Sequence, residues 1–320
     1  MRVLAIAVVL LAAACGEPDS GTTPLTSPVA VATACTLPVY WADTATNSTL
    51  AAFVRLPSGT VSMSGIIRPT NQFLFGTTYD RKSNTWLPAP EPYLSPDHKQ
   101  YAYEVLGVSA NEIHVVDIAS GADRVAYHGT LAYSVTAFEA DGIYMRQAIN
   151  AKQGAYQKLF RLDPAGGTPK LVRGSDQHMY PTGWTVLSGG AAWGLDYRGK
   201  GNSFTYLVDR LDLTTGAVTT WFTSDPDHQF APMGTDGKNR LYITDGFEVW
   251  RLAGPGQVEH LLSPPKTEGS YTFGGEMLSD AHGAWFQALG GVWFHSDTEG
   301  SRQLPVNVPE EMVSPAGPCL

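Results

Sequence analysis

Two loops hold the residue types best suited to chemistry. SDQHMYPTGW (175–184) and SDPDHQFAPMG (224–234) each carry Ser-Asp, a histidine within a few residues, and an aromatic before a proline. Asp176, His178, Asp227 and His228 would offer carboxylate and imidazole to a divalent metal, or to general acid and base work. The competing reading is two solvated loops that look alike because the chain repeats. A second group lies in FLFGTTYDRKSNTWLPAPEP (73–92). Tyr79, Arg81 and Trp86 there are of types common in contact surfaces, and a stabilising extra hairpin is the equal or better expectation. Arg198 and Lys200, in YRGKGNSF (197–204), place a basic spot in an acidic chain. It suits an anionic ligand or a solvated turn. GxSxG, HExxH, GxxxxGK[ST] and EF-hand patterns are absent, so no standard motif selects an activity. Trp184 and Trp193 read as packing rather than as ligand platforms.

Strands must position these residues. Gly (33) and Pro (22) are too frequent for a helical bundle, while 43% hydrophobic and 11% aromatic residues supply a core. One pattern recurs six times: an apolar run, a short turn ending in Gly, and a second strand-like run. IHVVDIASGADRVAY, LVDRLDLTTGAVTTWF and VWRLAGPGQVEHLL are examples. Each reads as a β-hairpin in which Gly supplies the positive φ of the turn. The turn glycines are Gly59, Gly121, Gly167, Gly216, Gly256 and Gly300, spaced 62, 46, 49, 40 and 44 apart. A second marker precedes the hairpins, as in YLSPDHKQYAYEV, FEADGIYMRQA and MLSDAHGAWFQA: a turn, then an aromatic-rich strand. Two hairpins per period of about 45 residues give four strands, the size of a propeller blade.

The expected fold is therefore all-β: a six-bladed β-propeller of four-stranded antiparallel blades over residues 35–320. Turns between first and second strands share one face with His98 and His282. The longer loops share the other face, the usual place for function on such a scaffold. The two histidine loops, Arg198 and Lys200 belong there. The long first spacing puts about 17 extra residues within 62–92; these are expected on the loop-rich face, where they could cap the channel.

The chain ends sharpen this. EEMVSPAGPC, near the C-terminus, looks like the first marker without its following strands. Cys35-TLPVYWA and LAAFVRLPSGTV look like a blade without its first strand. Joined, they span one period. The ring is thus expected to close through N- and C-terminal strands sharing one blade, which leaves no sheet edge at the seam. Cys35 and Cys319 meet at this join, and a disulfide between them is expected, contributing roughly 4–5 kcal/mol in the chain-entropy account.

Residues 1–14 begin Met1-Arg2 and continue as an apolar run too short to span a bilayer as a helix. They read as a signal peptide. Leu11-Ala12-Ala13-Ala14-Cys15-Gly16 resembles the lipobox of bacterial lipoproteins, with Ala12 where Leu is commoner. The resemblance implies that Cys15 becomes the lipid-bearing N-terminus; the alternative is an ordinary secretory signal. Residues 15–34 are rich in Ser, Thr and Pro and read as a tether. Without Arg2 the 21 basic residues fall to 20 against 30 acidic, a balance that excludes nucleic acid as a partner.

SPDHKQYAYEV (95–105) followed by IHVVDIASGADRV (113–125) resembles the repeat of TolB-like β-propellers. The other repeats keep the rhythm and lose Ser-Pro, while Asp-Gly survives at Asp141-Gly142 and Asp236-Gly237. The resemblance implies fold and a structural role for Asp97; it implies no activity. The expected whole is a monomeric lipoprotein on the periplasmic or extracellular face, meeting the membrane through its anchor alone. It would bind an envelope protein or a ligand on its loop-rich face. The alternatives are a metal-assisted lyase or hydrolase at the channel mouth, and a structural envelope protein. No cofactor is expected, though the channel would allow a divalent cation.

Overall fold

The computed structural model describes residues 34–43, 48–67, 76–107, 110–147, 158–177, 183–200, 203–226, 228–264, 272–306 and 312–320. The signal sequence, Cys15 and nearly all of the tether lie outside them. So do His178 and Asp227.

The chain opens with β1 (Thr36–Asp43), β2 (Ser48–Arg55) and β3 (Thr60–Ile67), then a short hairpin, β4 (Thr78–Asp80) and β5 (Thr85–Leu87). A 3-10 turn at Glu91–Tyr93 leads to β6 (Gln100–Leu106), β7 (Asn111–Asp117) and β8 (Asp123–Gly129). Next come β9 (Tyr133–Glu139), β10 (Gly142–Gln147), β11 (Leu159–Leu162) and β12 (Lys170–Leu171). They are followed by β13 (Trp184–Ser188), β14 (Ala191–Lys200), β15 (Ser203–Asp212) and β16 (Val218–Thr223). Then come β17 (Ala231–Thr235), β18 (Leu241–Thr244), β19 (Val249–Gly254) and β20 (Gln257–Leu262). The last are β21 (Phe273–Ser279), β22 (Ala284–Leu289), β23 (Gly291–Ser296), β24 (Gly300–Pro305) and β25 (Met312–Pro315). Among the described residues no α-helix occurs, and no helix is long and apolar enough to cross a membrane.

The strands pair antiparallel in sequence order as three four-stranded sheets, β9–β12, β13–β16 and β17–β20, while β21–β24 pair in the same order within a larger sheet. In front of β6–β7–β8, Leu94 bridges Tyr101 and stands as the missing first strand. Through β25, which pairs with both β22 and β1, strands β21–β24 join β1-β2-β3 in one eight-stranded sheet. Here Val39 faces Pro315 and Tyr40 faces Ser314, so the last strand of the chain pairs with the first. First strands pack beside one another in succession: the 3-10 turn with β9, β9 with β13, β13 with β17, β17 with β21, and β21 with β25.

The hairpins form for local reasons. In β7–β8, Asp117 Oδ1 accepts from Ser120 N (2.9 Å) and Ser120 Oγ (2.6 Å). Asp212 does the same for Thr214 N, Thr215 N and Thr215 Oγ1 in β15–β16. Asp therefore folds the turn onto itself and Gly ends it. Gly216 has φ +75° and a Cβ there would lie 2.7 Å from Arg173 Cγ, so both backbone and neighbour demand glycine.

The core lies between sheets. Tyr144, Leu159 and Val172 of one sheet pack with Trp184, Ala192 and Leu211 of the next. Trp193, Leu195 and Val208 meet Phe230, Ile243 and Leu252 in the same way. Inner strands are covered on both faces, which is why β18 is buried at all four residues while β20 is mostly exposed. An ionic network also crosses a seam. Asp297 accepts from Lys238 Nζ (2.8 Å), Arg240 Nη2 (3.0 Å) and Arg251 Nη1. Those hydrogen bonds hold its carboxyl well below the ordinary value.

Cys35 and Cys319 are disulfide-bonded, with Cα atoms 5.7 Å apart. Thr36 and Leu320 exchange backbone hydrogen bonds (3.0 and 2.9 Å). Ala316 N donates to Pro38 O (2.9 Å), and Tyr79 N donates to Ala316 O (2.6 Å). The C-terminal tail thus runs between β1 and β4. The extra hairpin expected within 62–92 is present, residues 68–75 lying outside the described ones, but the face expected for it is corrected. The hairpin packs on β2, with Phe53 4.9 Å from Tyr79 and 5.5 Å from Trp86 between ring centroids. Its turn stands beside His98, on the face of the first-to-second-strand turns and away from the longer loops.

Candidate binding site at the channel mouth

Where the first strands end, they enclose a cavity of about 380 Å³. The final residues of these strands are Glu139, Ser188, Thr235 and Ser279, with Ser95 after Leu94 in the equivalent place. The mouth is therefore a ring of hydroxyls and one carboxylate. A second cavity of about 510 Å³ adjoins it and shares Glu91, His98, Leu278 and Ser279. Its outer wall is the β4–β5 turn with Asp80, Arg81 and Lys82, closed by Pro318 of the tail.

Asp80 is the anchor of that turn. Its buried carboxylate accepts from Ser83 N (2.9 Å), Ser83 Oγ (2.5 Å) and Lys82 N (3.2 Å), and pairs with His98 Nδ1 at 2.7 Å. Burial alone would raise the carboxyl; the hydrogen bonds from Ser83 and His98 outweigh it and hold it below its ordinary value. With Nδ1 donating to that carboxylate, a neutral imidazole carries its lone pair on Nε2. His98 sits at φ +58° in the Ser95–Lys99 turn and lines both cavities. The arrangement can move a proton or accept a hydrogen bond at Nε2.

Glu91 opens onto both cavities and is exposed in the 3-10 turn. Partial desolvation at the cavity wall raises its carboxyl, with the charge of His98 acting in the opposite sense. Burial, then the charge of Asp141, raises Glu139 likewise. Among the described residues neither carboxyl has a hydrogen-bond or ion-pair partner. Two hydroxyls one layer deeper, Thr136 Oγ1 and Thr185 Oγ1, also have no partner.

A second polar group joins the first strands elsewhere. Tyr40 OH donates to Glu276 Oε2 (2.5 Å), and Glu104 accepts from Ser134 Oγ (3.1 Å) and Val135 N (3.2 Å). Burial raises the carboxyls of Glu276 and Glu104. These contacts bind β1 to β21 and β6 to β9, and are satisfied internally.

Of the residues singled out from sequence, Tyr79 and Arg81 line the adjoining cavity, and the other described ones stand apart from the mouth. Asp176 is exposed in the turn after β12. His228 is exposed, with Nε2 2.9 Å from Asp245 Oδ2 and its ring 4.5 Å from Phe230. Among the described residues no three His, Cys, Asp or Glu side chains group as metal ligands. Tyr79 is buried and donates to Asn84, and Trp86 is half-buried, so both pack the hairpin rather than offer it. Arg81 alone of that trio is exposed. Arg198, 4.0 Å from Asp196, and Lys200 lie at the far end of β14 from its Gly189-Gly190 turn, hence on the opposite face from Arg81. Glu91, Glu139 and the Asp80–His98 pair were not anticipated. The available signal was the strand-end position before each turn, filled by Ser, Glu, Ser, Thr and Ser.

No protein-family model matches the sequence, and no curated protein matches it. In fold it is similar to TolB. TolB from Acinetobacter baumannii is 13% identical, with 89% of this chain and 67% of that chain covered and a TM-score of 0.46. A protein assigned as TolB from Agrobacterium tumefaciens is 11% identical, with 89% and 94% covered and a TM-score of 0.49. The β-propeller domain of the trilobed protease from Pyrococcus furiosus is 10% identical, with 86% and 93% covered and a TM-score of 0.41. Likeness at this level carries no residue role across, and the propeller architecture rests on the succession of sheets in this chain.

Proposed function

We propose that this chain is an exported, lipid-anchored, six-bladed β-propeller that binds a ligand or protein partner at its channel mouth. The sixth blade is β25-β1-β2-β3, and the ring closes there. The observation that carries the binding reading is the cavity at the ends of the first strands, lined by Glu91 and Glu139 and by the buried, unpartnered hydroxyls of Thr136 and Thr185. A buried polar group left unpaired costs free energy, and a ligand that pairs it recovers that cost. The Cys35–Cys319 bridge supports export, since such bonds persist in oxidising compartments. The small residues before Cys15 support a lipid anchor.

Anchoring is tested on the full-length chain in a bacterial host grown with radiolabelled palmitate. The chain is expected to take label and sediment with membranes, and Cys15→Ser to take none. An unlabelled wild-type chain would replace the anchor with an ordinary secretory signal. The Asp80–His98 pair favours one second reading, proton-transfer catalysis at the same mouth. Mass spectrometry of incubated compounds separates the two, because binding alone forms no product.

A further inference from the structure

The smaller cavity has a definite chemical character. Glu91 and Glu139 line it without partners, and no Lys or Arg is among its described lining residues. Thr136, only 7% exposed, brings a hydroxyl that also has no partner, and Thr185 repeats it from the neighbouring strand. Between these polar atoms the wall is apolar, with Phe138, Met233 and Met277. An anion would meet two carboxylates with no fixed cation facing it. A divalent metal needs several convergent oxygen ligands, and no such group of three stands among the described residues. A primary ammonium has three donors and needs no fixed coordination geometry. Its alkyl chain fits methionine, a side chain that adapts to varied shapes.

We infer that the channel mouth takes a primary alkylammonium group, its N–H donors meeting Glu91, Glu139 and the Thr136 and Thr185 hydroxyls, its chain lying along Met233 and Met277. This deepens the binding reading above and rests on it. It names a ligand class, and it moves the site from the longer loops to the opposite face.

The test uses the mature, disulfide-bonded chain with methyl-labelled methionine. n-Butylammonium is titrated beside N-butylacetamide, n-butyrate and magnesium chloride. Butylammonium is expected to bind saturably and shift the Met233 and Met277 methyl signals. The acetamide and butyrate are expected not to bind, and magnesium not to displace the amine. Glu91→Gln and Glu139→Gln are each expected to weaken binding about tenfold, the size of one lost hydrogen bond to a charged group. Thr136→Val provides an uncharged variant should either glutamine variant fold poorly, and it too should weaken binding. Equal binding of the acetamide, or unmoved Met233 and Met277 methyls at saturation, overturns the inference. If the amine shifts signals around Arg198 instead, this site is wrong while a binding propeller stands. If none of the probes binds at all, the inference fails and the binding reading loses its carrying observation.

Discussion

Cys35→Ser/Cys319→Ser is expected to lower unfolding free energy by about 5 kcal/mol in the chain-entropy account, because the bridge closes a loop across 284 residues. The native contacts beside it are short. β25 has two paired positions with β1 and two with β22. Without the covalent link those few pairs must hold the ends of the chain against the entropy of a very long loop. Urea unfolding of the oxidised protein and of the double variant measures the difference. The variant should unfold at lower urea, with β25 and the tail opening first. A loss below about 1 kcal/mol would mean that packing alone fastens the ends. The β4–β5 hairpin should loosen too, since Tyr79 N is bonded to Ala316 O in the same tail.

Trp184→Ala is the second large effect, expected at about 3–5 kcal/mol. Trp184 is fully buried in the cluster that joins the β9–β12 and β13–β16 sheets. Its indole Nε1 donates to Ser175 O at 3.1 Å, so the ring also fastens the segment that leads from β12 towards β13. Removing it leaves a cavity where two sheets meet and a buried carbonyl short of a donor. Trp184→Phe keeps much of the ring and loses the hydrogen bond, and should cost less than the alanine variant. Trp250, half-buried beside His228, is the contrast, and its alanine variant should be milder. Urea midpoints and slopes for the three variants check the order. An alanine variant at position 184 as mild as one at position 250 would show that this seam can collapse around the gap.

What could be read in advance was local or periodic. Asp117-Ser120-Gly121 and Asp212-Thr215-Gly216 fold their turns with their own side chains, so sequence alone exposes them. That the two ends of the strand region meet was legible as well, and β25 does pair with β1. The placement of the long insertion was not legible. Its hairpin is held by Phe53 and by Ala316, residues far from it along the chain, and these fix the face on which Asp80 meets His98. The contact that His228 makes was not legible either, because Asp245, seventeen residues on, holds its ring nitrogen. Glu91 and Glu139 carry meaning through the partners they lack, and a lack of partners exists only once strands distant in sequence are brought together.

Ring closure is the central claim, and amide hydrogen exchange of the oxidised chain over residues 312–320 tests it most directly. Ala316 N donates to Pro38 O at 2.9 Å, Leu320 N to Thr36 O at 2.9 Å, and Cys319 N to Asp280 Oδ2 at 2.8 Å. These amides should exchange as slowly as those of β13 and β17, since a closed ring opens only with its neighbours. If residues 312–320 exchange like a free tail while β13 and β17 stay protected, the ring is open and the account is contradicted.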